Sequence, residues 1–210
     1  MLSERLRSWG ERLRAPLGRA MGRLGMSPNS LTVVGYLLNL LVMYVLAAGQ
    51  LRLGGVLVAL AAMFDALDGA VARATGTTSD FGAFFDSVTD RYSEATVLFG
   101  LLLWYLGTAA EQEVALIYVT LLGSLMVSYA RARAEGLGME CKVGWLTRFE
   151  RVALLSIGLI IQHVRPVLWV MAVLTNVTAL QRVYHVWRVS RAEDDGPGST
   201  GVGASPTRLV

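Results

Sequence analysis

Asp65-Ala66-Leu67-Asp68-Gly69-Ala70-Val71-Ala72-Arg73 and, after a short polar stretch, Gly82-Ala83-Phe84-Phe85-Asp86-Ser87-Val88-Thr89-Asp90 decide how this chain is read. An apolar run from Leu53 to Phe64 leads into the first segment, and another from Val97 to Leu106 follows the second. Carboxylates embedded in such helices are costly at membrane depth, so a cluster of them marks a functional site. Asp65 and Asp68 are three residues apart, and Asp86 and Asp90 are four apart. On a helix each pair shares one face. Two such faces turned toward each other make a four-carboxylate site, which suits hard divalent cations.

The rest of the composition fits that setting. The chain has 210 residues, 54% of them apolar, with five prolines and a net charge of +3. Its mean hydropathy is positive, and its long apolar stretches point to an all-α integral membrane protein with a single helical domain. One cysteine, Cys141, excludes an intrachain disulfide framework and reads as an inert thiol. Arg5, Arg7, Arg12, Arg14, Arg19 and Arg23 crowd the first segment, with Leu2, Leu6, Trp9, Leu13, Leu17, Met21 and Leu24 between them at helical spacing. No apolar h-region or small-residue cleavage pattern follows, so this is not read as a signal peptide. Residues 1–25 are expected to form an amphipathic helix lying on an anionic membrane face. The basic residues serve lipid and membrane loops in this reading, and nucleic acid is not an expected partner.

Working outward, Pro28-Asn29-Ser30-Leu31-Thr32 opens the first span, with Ser30 the expected N-cap. Spans are expected at about 31–49, 53–73, 82–106, 114–134, 150–162 and 167–190. The fifth is short in its apolar part and is expected to reach back through Val143–Phe149. Residues 26–190 form the six-span domain, and residues 191–210, rich in Gly, Ser, Pro and Asp, read as a disordered tail. Six spans put both termini on one side. That side carries the N-terminal arginines, Arg73, Arg131, Arg133, Lys142, Arg148, Arg151, Arg188 and Arg191, whereas the other carries Arg52 and Arg165. The positive-inside rule makes the basic side cytoplasmic. The aspartates then lie at the cytoplasmic ends of the second and third spans, with Trp104, Tyr105 and Trp169 near the interfaces.

Small residues around the acids, Gly69, Ala70, Ala72, Gly82 and Ala83 among them, let helices approach closely and leave room for a flat base or a phosphate. Arg73, at the polar end, is placed to pair with a carboxylate or grip a diphosphate. A cation-coupled transporter is the competing use of such carboxylates, but the acids sit at one membrane face and no inverted repeat is visible.

The string Asp-x2-Asp-Gly-x2-Ala-Arg-x8-Gly-x3-Asp-x3-Asp, complete from Asp65 to Asp90, resembles the signature of the CDP-alcohol phosphotransferases. With the Pro28 entry and the six-span layout, the resemblance covers about residues 25–190. It implies a Mg²⁺-dependent enzyme using two ions, with Mn²⁺ as a substitute. Such an enzyme moves a phosphoalcohol unit from a CDP-linked donor to an acceptor hydroxyl and releases CMP. By motif position, the resemblance makes Asp65, Asp68, Asp86 and Asp90 metal ligands and Asp90 the general base. It places Gly69 and Ala72 against the cytidine, Arg73 on the diphosphate, and Pro28, Asn29, Ser30, Leu31 and Ser79 among the nucleotide contacts. It also implies a homodimer in the cell membrane.

The acceptor must be read from the second half. Arg131, Arg133, Arg148, Arg151 and Arg182 are expected to line one cytoplasmic pocket, and clustered arginines suit a dianionic phosphate. The pattern is most similar to the branch of the family that joins CDP-diacylglycerol to inositol 1-phosphate, giving a phosphatidylinositol phosphate. It departs from that branch at Arg131, where Lys is common, and at Phe149, which stands in a Pro position. Glycerol 3-phosphate as acceptor and an archaeal-type ether-lipid donor are the alternatives.

Overall fold

The computed structural model describes residues 27–75 and 79–194, with side chains over 27–65 and 79–191. The expected surface helix at 1–25, most of the expected tail, and the side chains of Asp68, Gly69, Ala72 and Arg73 lie outside the described residues. Within that range the chain is all helical: α1 (Pro28–Ala47), α2 (Leu51–Thr75), α3 (Asp80–Gly107), α4 (Glu111–Gly136), α5 (Arg148–Ile160) and α6 (Val164–Asp194).

Local chemistry explains the helix ends. The α1 N-cap is Ser27, not Ser30: its Oγ accepts from the Ser30 backbone N–H at 3.1 Å, and Pro28 takes the first helical position, where its missing N–H costs nothing. Ser79 caps α3 in the same way, accepting from Gly82 N at 3.0 Å. Helix α5 starts at Arg148 with a Thr147–Glu150 capping box. The segment before it is not helical, contrary to the expected extension through Val143. Gly144 sits at φ +130, a conformation that suits glycine and breaks a helix.

Short turns at 48–50, 108–110 and 161–163 join α1 to α2, α3 to α4 and α5 to α6. Each contains a residue at positive φ, Gly49, Ala109 or Gln162. Helix α1 packs against α2 and α3, α2 against α5, α4 against α3 and α6, and α5 against α6. A Cβ on Gly100 would meet the Met43 backbone, and one on Gly123 would meet Thr175 and Asn176. These glycines let α3 approach α1, and α4 approach α6, as small residues do in membrane bundles. The core between the helices is built from Leu46, Leu98, Leu101, Leu159, Leu168 and Met171.

Helices α1, α4 and α6 are long and apolar enough to cross a membrane. Leu37, Leu41 and Tyr44 on α1, Tyr118 and Leu122 on α4, and Leu180 and Val183 on α6 are exposed, an apolar outer surface of the kind lipid would cover. Helices α2 and α3 have the length, at 25 and 28 residues, but their carboxylate-bearing halves dilute the apolar pattern. Helix α5 has 13 residues. It rises only about 20 Å against a hydrocarbon core of about 30 Å.

Candidate active site

Asp65 on α2 and Asp86 and Asp90 on α3 are all partly buried. Arg148, the first residue of α5, joins two of them: Nη2 lies 2.9 Å from Asp65 Oδ2 and Nη1 lies 2.8 Å from Asp90 Oδ1. Two carboxylates from different helices therefore converge within the width of one planar cation. Asp90 is also 3.6 Å from Arg91, whose guanidinium donates to Ser87 O at 3.0 Å. Behind Asp65 stands Gly35 of α1; a Cβ there would lie 2.5 Å from Asp65 Oδ1. The backbone of α1 is thus the wall against which this carboxylate rests.

Asp65 and Asp86 open onto a cavity of about 560 Å³, where they and Arg148 meet an apolar wall that includes Met63, Phe149 and Val152. The cavity is polar at one end and apolar along α2 and α5, so it suits a ligand with a charged head and a hydrocarbon body. A second, small cavity of about 30 Å³ lies inside, bordered by Asn39, Asp65, Ser93, Glu94, Arg148 and Arg151. Its remaining wall is apolar, with Val58, Val97, Leu98 and Leu155 among its residues.

One turn deeper on α3, Glu94 repeats the pattern in a different setting. Arg151 Nε and Nη2 reach the Glu94 carboxylate at 2.6 and 2.8 Å, a bidentate pair, and Ser124 Oγ donates to Glu94 Oε1 at 2.5 Å. Arg151 Nη1 donates to Leu146 O at 3.2 Å. The acids on α3 thus form a row, Asp86, Asp90 and Glu94, at successive turns. The arginines at 148 and 151, one turn apart on α5, pair with the last two members. Glu94 was not singled out from the sequence; extending the four-residue ladder by one step would have found it. Gly35 was missed as well, because its value lies in contact with a residue on another helix.

The five arginines expected in one acceptor pocket divide into three settings. Arg148 joins the aspartates. Arg151 and Arg182 are buried and engaged by the protein itself. Arg182 donates through Nε to Val143 O at 2.9 Å and through Nη1 to Val127 O at 2.5 Å, so it fastens residues 137–147 to α4 and α6. Thr178 Oγ1 helps by accepting from Leu146 N at 3.4 Å. Arg131 and Arg133 are exposed on the last turns of α4, where Arg131 pairs with Glu135 at 2.8 Å. On the rim of the same loop a hydrogen bond from Lys142 holds the Glu140 carboxyl below the usual carboxylate range.

The residues expected to touch a nucleotide assemble in part. The N-termini of α1 and α3 lie side by side: a Cβ on Gly82 would be 3.0 Å from Ser79 Oγ and 3.4 Å from Asn29 Oδ1. Pro28 and Ser30 stand at the same end, while Leu31 is buried as core. Two helix N-termini with free N–H groups favour an anion there. Carboxylate oxygens from two helices are ligands of the kind Mg²⁺ or Mn²⁺ takes, although among the described residues no group of three or more such side chains stands together as a metal site.

The profile of the CDP-alcohol phosphatidyltransferase family matches residues 25–181. The chain is 41% identical over 169 residues to an archaetidylinositol phosphate synthase of Pyrococcus horikoshii, covering 80% of this chain and 87% of that protein. It is 34% identical over 193 residues to a phosphatidylinositol phosphate synthase of Mycobacteroides abscessus, covering 88% of each. Among solved structures, it resembles the phosphatidylinositol phosphate synthase of Mycobacterium tuberculosis with CDP-DAG bound. The TM-score is 0.79 and the identity 29%, over 92% of this chain and all of that one. The same enzyme in complex with manganese and citrate matches with a TM-score of 0.80 at 28% identity, over 93% of this chain and 96% of that one. The chain belongs to the CDP-alcohol phosphatidyltransferase family and is a multi-pass membrane protein.

Proposed function

We propose that this member of the CDP-alcohol phosphatidyltransferase family transfers the phosphatidyl group of CDP-diacylglycerol to a hydroxyl of inositol 1-phosphate, releasing CMP. The observation that carries the reading is the convergence of Asp65 and Asp90, from two helices, on Arg148, which with Asp65 and Asp86 forms the polar end of the 560 Å³ cavity whose other wall is apolar. The Mycobacterium tuberculosis relative binds CDP-DAG in one structure and manganese with citrate in another, and this chain carries the aspartate motif complete.

In this reading Asp65, Asp68, Asp86 and Asp90 hold two Mg²⁺ ions, or Mn²⁺ in their place. When bound, these ions supply charge stabilisation at the diphosphate. Everything else falls to the chain's own groups. The N-termini of α1 and α3, with Asn29, Ser30 and Ser79, face the nucleotide, and Gly69 and Ala72 leave room for the cytosine. Arg73 binds the diphosphate. Asp90 takes the proton of the acceptor hydroxyl as its oxygen bonds to the phosphatidyl phosphorus. The phosphorus–oxygen bond to CMP breaks, and CMP leaves with the electron pair. Arg131, Arg133 and Arg148 supply positive charge to the acceptor phosphate, while Arg151 and Arg182 hold the loop beside it. The acyl chains lie along the apolar wall.

The enzyme acts in the cytoplasmic membrane, with both termini and the site on the cytoplasmic side, as a homodimer. In this reading residues 26–190 form the catalytic domain. The test is CMP release from CDP-diacylglycerol in Mg²⁺ with a panel of acceptors. Release with inositol 1-phosphate above all others is expected. A folded protein that releases no CMP with any acceptor rejects the enzyme. Preference for glycerol 3-phosphate rejects the acceptor alone. The 41% identity to an archaetidylinositol phosphate synthase favours a second donor, a CDP-linked ether lipid. Faster CMP release from that donor would replace CDP-diacylglycerol in the reading.

A further inference from the structure

Arg148 and Arg151 are neighbours on one helix turn, yet their bonding differs. The Arg151 side chain is 2% exposed, with Nε, Nη1 and Nη2 all engaged. That of Arg148 is 31% exposed and lies on the wall of the large cavity. Its two terminal nitrogens hold Asp65 and Asp90, but its Nε is buried without a partner. A bridge with an unsatisfied donor is easier to give up than a complete one. Moreover, the oxygens it grips belong to the carboxylates to which the proposed function gives divalent cations. A doubly charged ion at these carboxylates is repelled by the guanidinium and weakens its hold, because two like charges are pressed together in a partly buried site.

We infer that Arg148 is a placeholder cation: a divalent ion entering at Asp65 and Asp90 displaces it, and the released guanidinium turns into the cavity to take a phosphate. One side chain then couples cation entry to anion binding. The inference rests on the metal reading of the aspartates given above. The charged groups facing Arg148 agree with it. Asp65, Asp86 and Asp90 favour its present position, Arg91 repels it, and the buried Arg151 opposes any deeper position. The way out is the cavity. Its fork of N–H donors matches a phosphate bidentately, which a lysine cannot do.

The test uses the full chain in lipid nanodiscs and measures free Mn²⁺ by electron paramagnetic resonance. Removing the competing charge with Arg148→Gln should tighten Mn²⁺ binding roughly tenfold, the size of effect one nearby charge exerts. Arg148→Lys should stay near the native affinity. In the native protein, inorganic phosphate should bind more tightly when Mn²⁺ is present, and Arg148→Gln should abolish that coupling. Equal Mn²⁺ affinity in the native chain and Arg148→Gln overturns the inference while leaving the metal site standing. Failure of the native chain to bind Mn²⁺ at all rejects the metal reading and the inference with it. If the variant does not fold, phenylglyoxal labelling of the native chain decides, with Arg151 as an internal reference. Mn²⁺ should raise labelling at Arg148 several-fold, and unchanged labelling overturns the placeholder role.

Discussion

Two arginine–carboxylate contacts lie one helical turn apart and share the same chemical parts, but they are built differently. Arg151 and Glu94 form a bidentate pair, buried and supported by Ser124 Oγ and Leu146 O. Arg148 splits its guanidinium between Asp65 and Asp90, stays partly exposed and leaves Nε without a partner. The complete pair is nearly closed to solvent, and what it holds is structure: the start of α5 and the end of the 137–147 loop. The split pair faces a cavity, and its carboxylates keep lone pairs for other ligands. Charge in an apolar bundle is therefore not enough to identify a reactive site. The degree to which its hydrogen bonds are already satisfied separates an anchor from a site.

That contrast can be broken by substitution, and the largest effect is expected on the open side. Asp90→Asn should lower CMP release by roughly 10²–10⁴-fold, the usual loss of a general base, while CDP-diacylglycerol binding is retained. Turnover within a fewfold of the native rate would show that Asp90 is not the base. On the closed side, Arg151→Met leaves Glu94 buried without its partner and should cost about 3–5 kcal/mol of stability. Chemical unfolding in micelles would read this. A matching loss from Arg148→Gln would erase the distinction between the two contacts.

Gly35→Ala sharpens the comparison from behind the site. The new methyl would stand 2.5 Å from Asp65 Oδ1, so the carboxylate must shift. Misplacement on that scale should slow CMP release by roughly 10- to 100-fold with the helical fold kept, as circular dichroism would verify. Native turnover in this variant would mean that Asp65 has slack the packing does not suggest. The smallest effect on stability is expected at Arg131, exposed and paired only with Glu135 four residues on. Arg131→Ala should change stability by less than about 0.5 kcal/mol. If Arg131 meets the acceptor phosphate, the same variant should raise the acceptor KM roughly tenfold or more, the worth of one charge-assisted hydrogen bond. An unchanged KM would make it a surface residue only.

The helical class and the location of the acids were legible because both follow from spacing along one chain. Alternation of apolar runs with short Gly- and Pro-marked breaks predicts helices at six places, and all six are present. The ends were less legible. Ser30 and Ser27 both look like caps, and only the backbone decides which N–H each oxygen can reach. The loop before α5 reads as apolar enough to be helix, yet Gly144 and the Thr147–Glu150 box delay the start to Arg148.

By itself, the sequence determined the class of this protein, its family and the faces on which its aspartates lie. Residues three or four apart share a helix face whatever surrounds them, and the motif is local to 26 residues between Asp65 and Asp90. Only the tertiary structure decided which arginine serves which acid. Arg148 meets Asp65 across 83 residues, and Arg151 meets Glu94 across 57. Those pairings depend on the depth and rotation of α5 against α2 and α3, set by packing between helices. Two arginines that look equivalent in the chain therefore end as a structural anchor and an open contact.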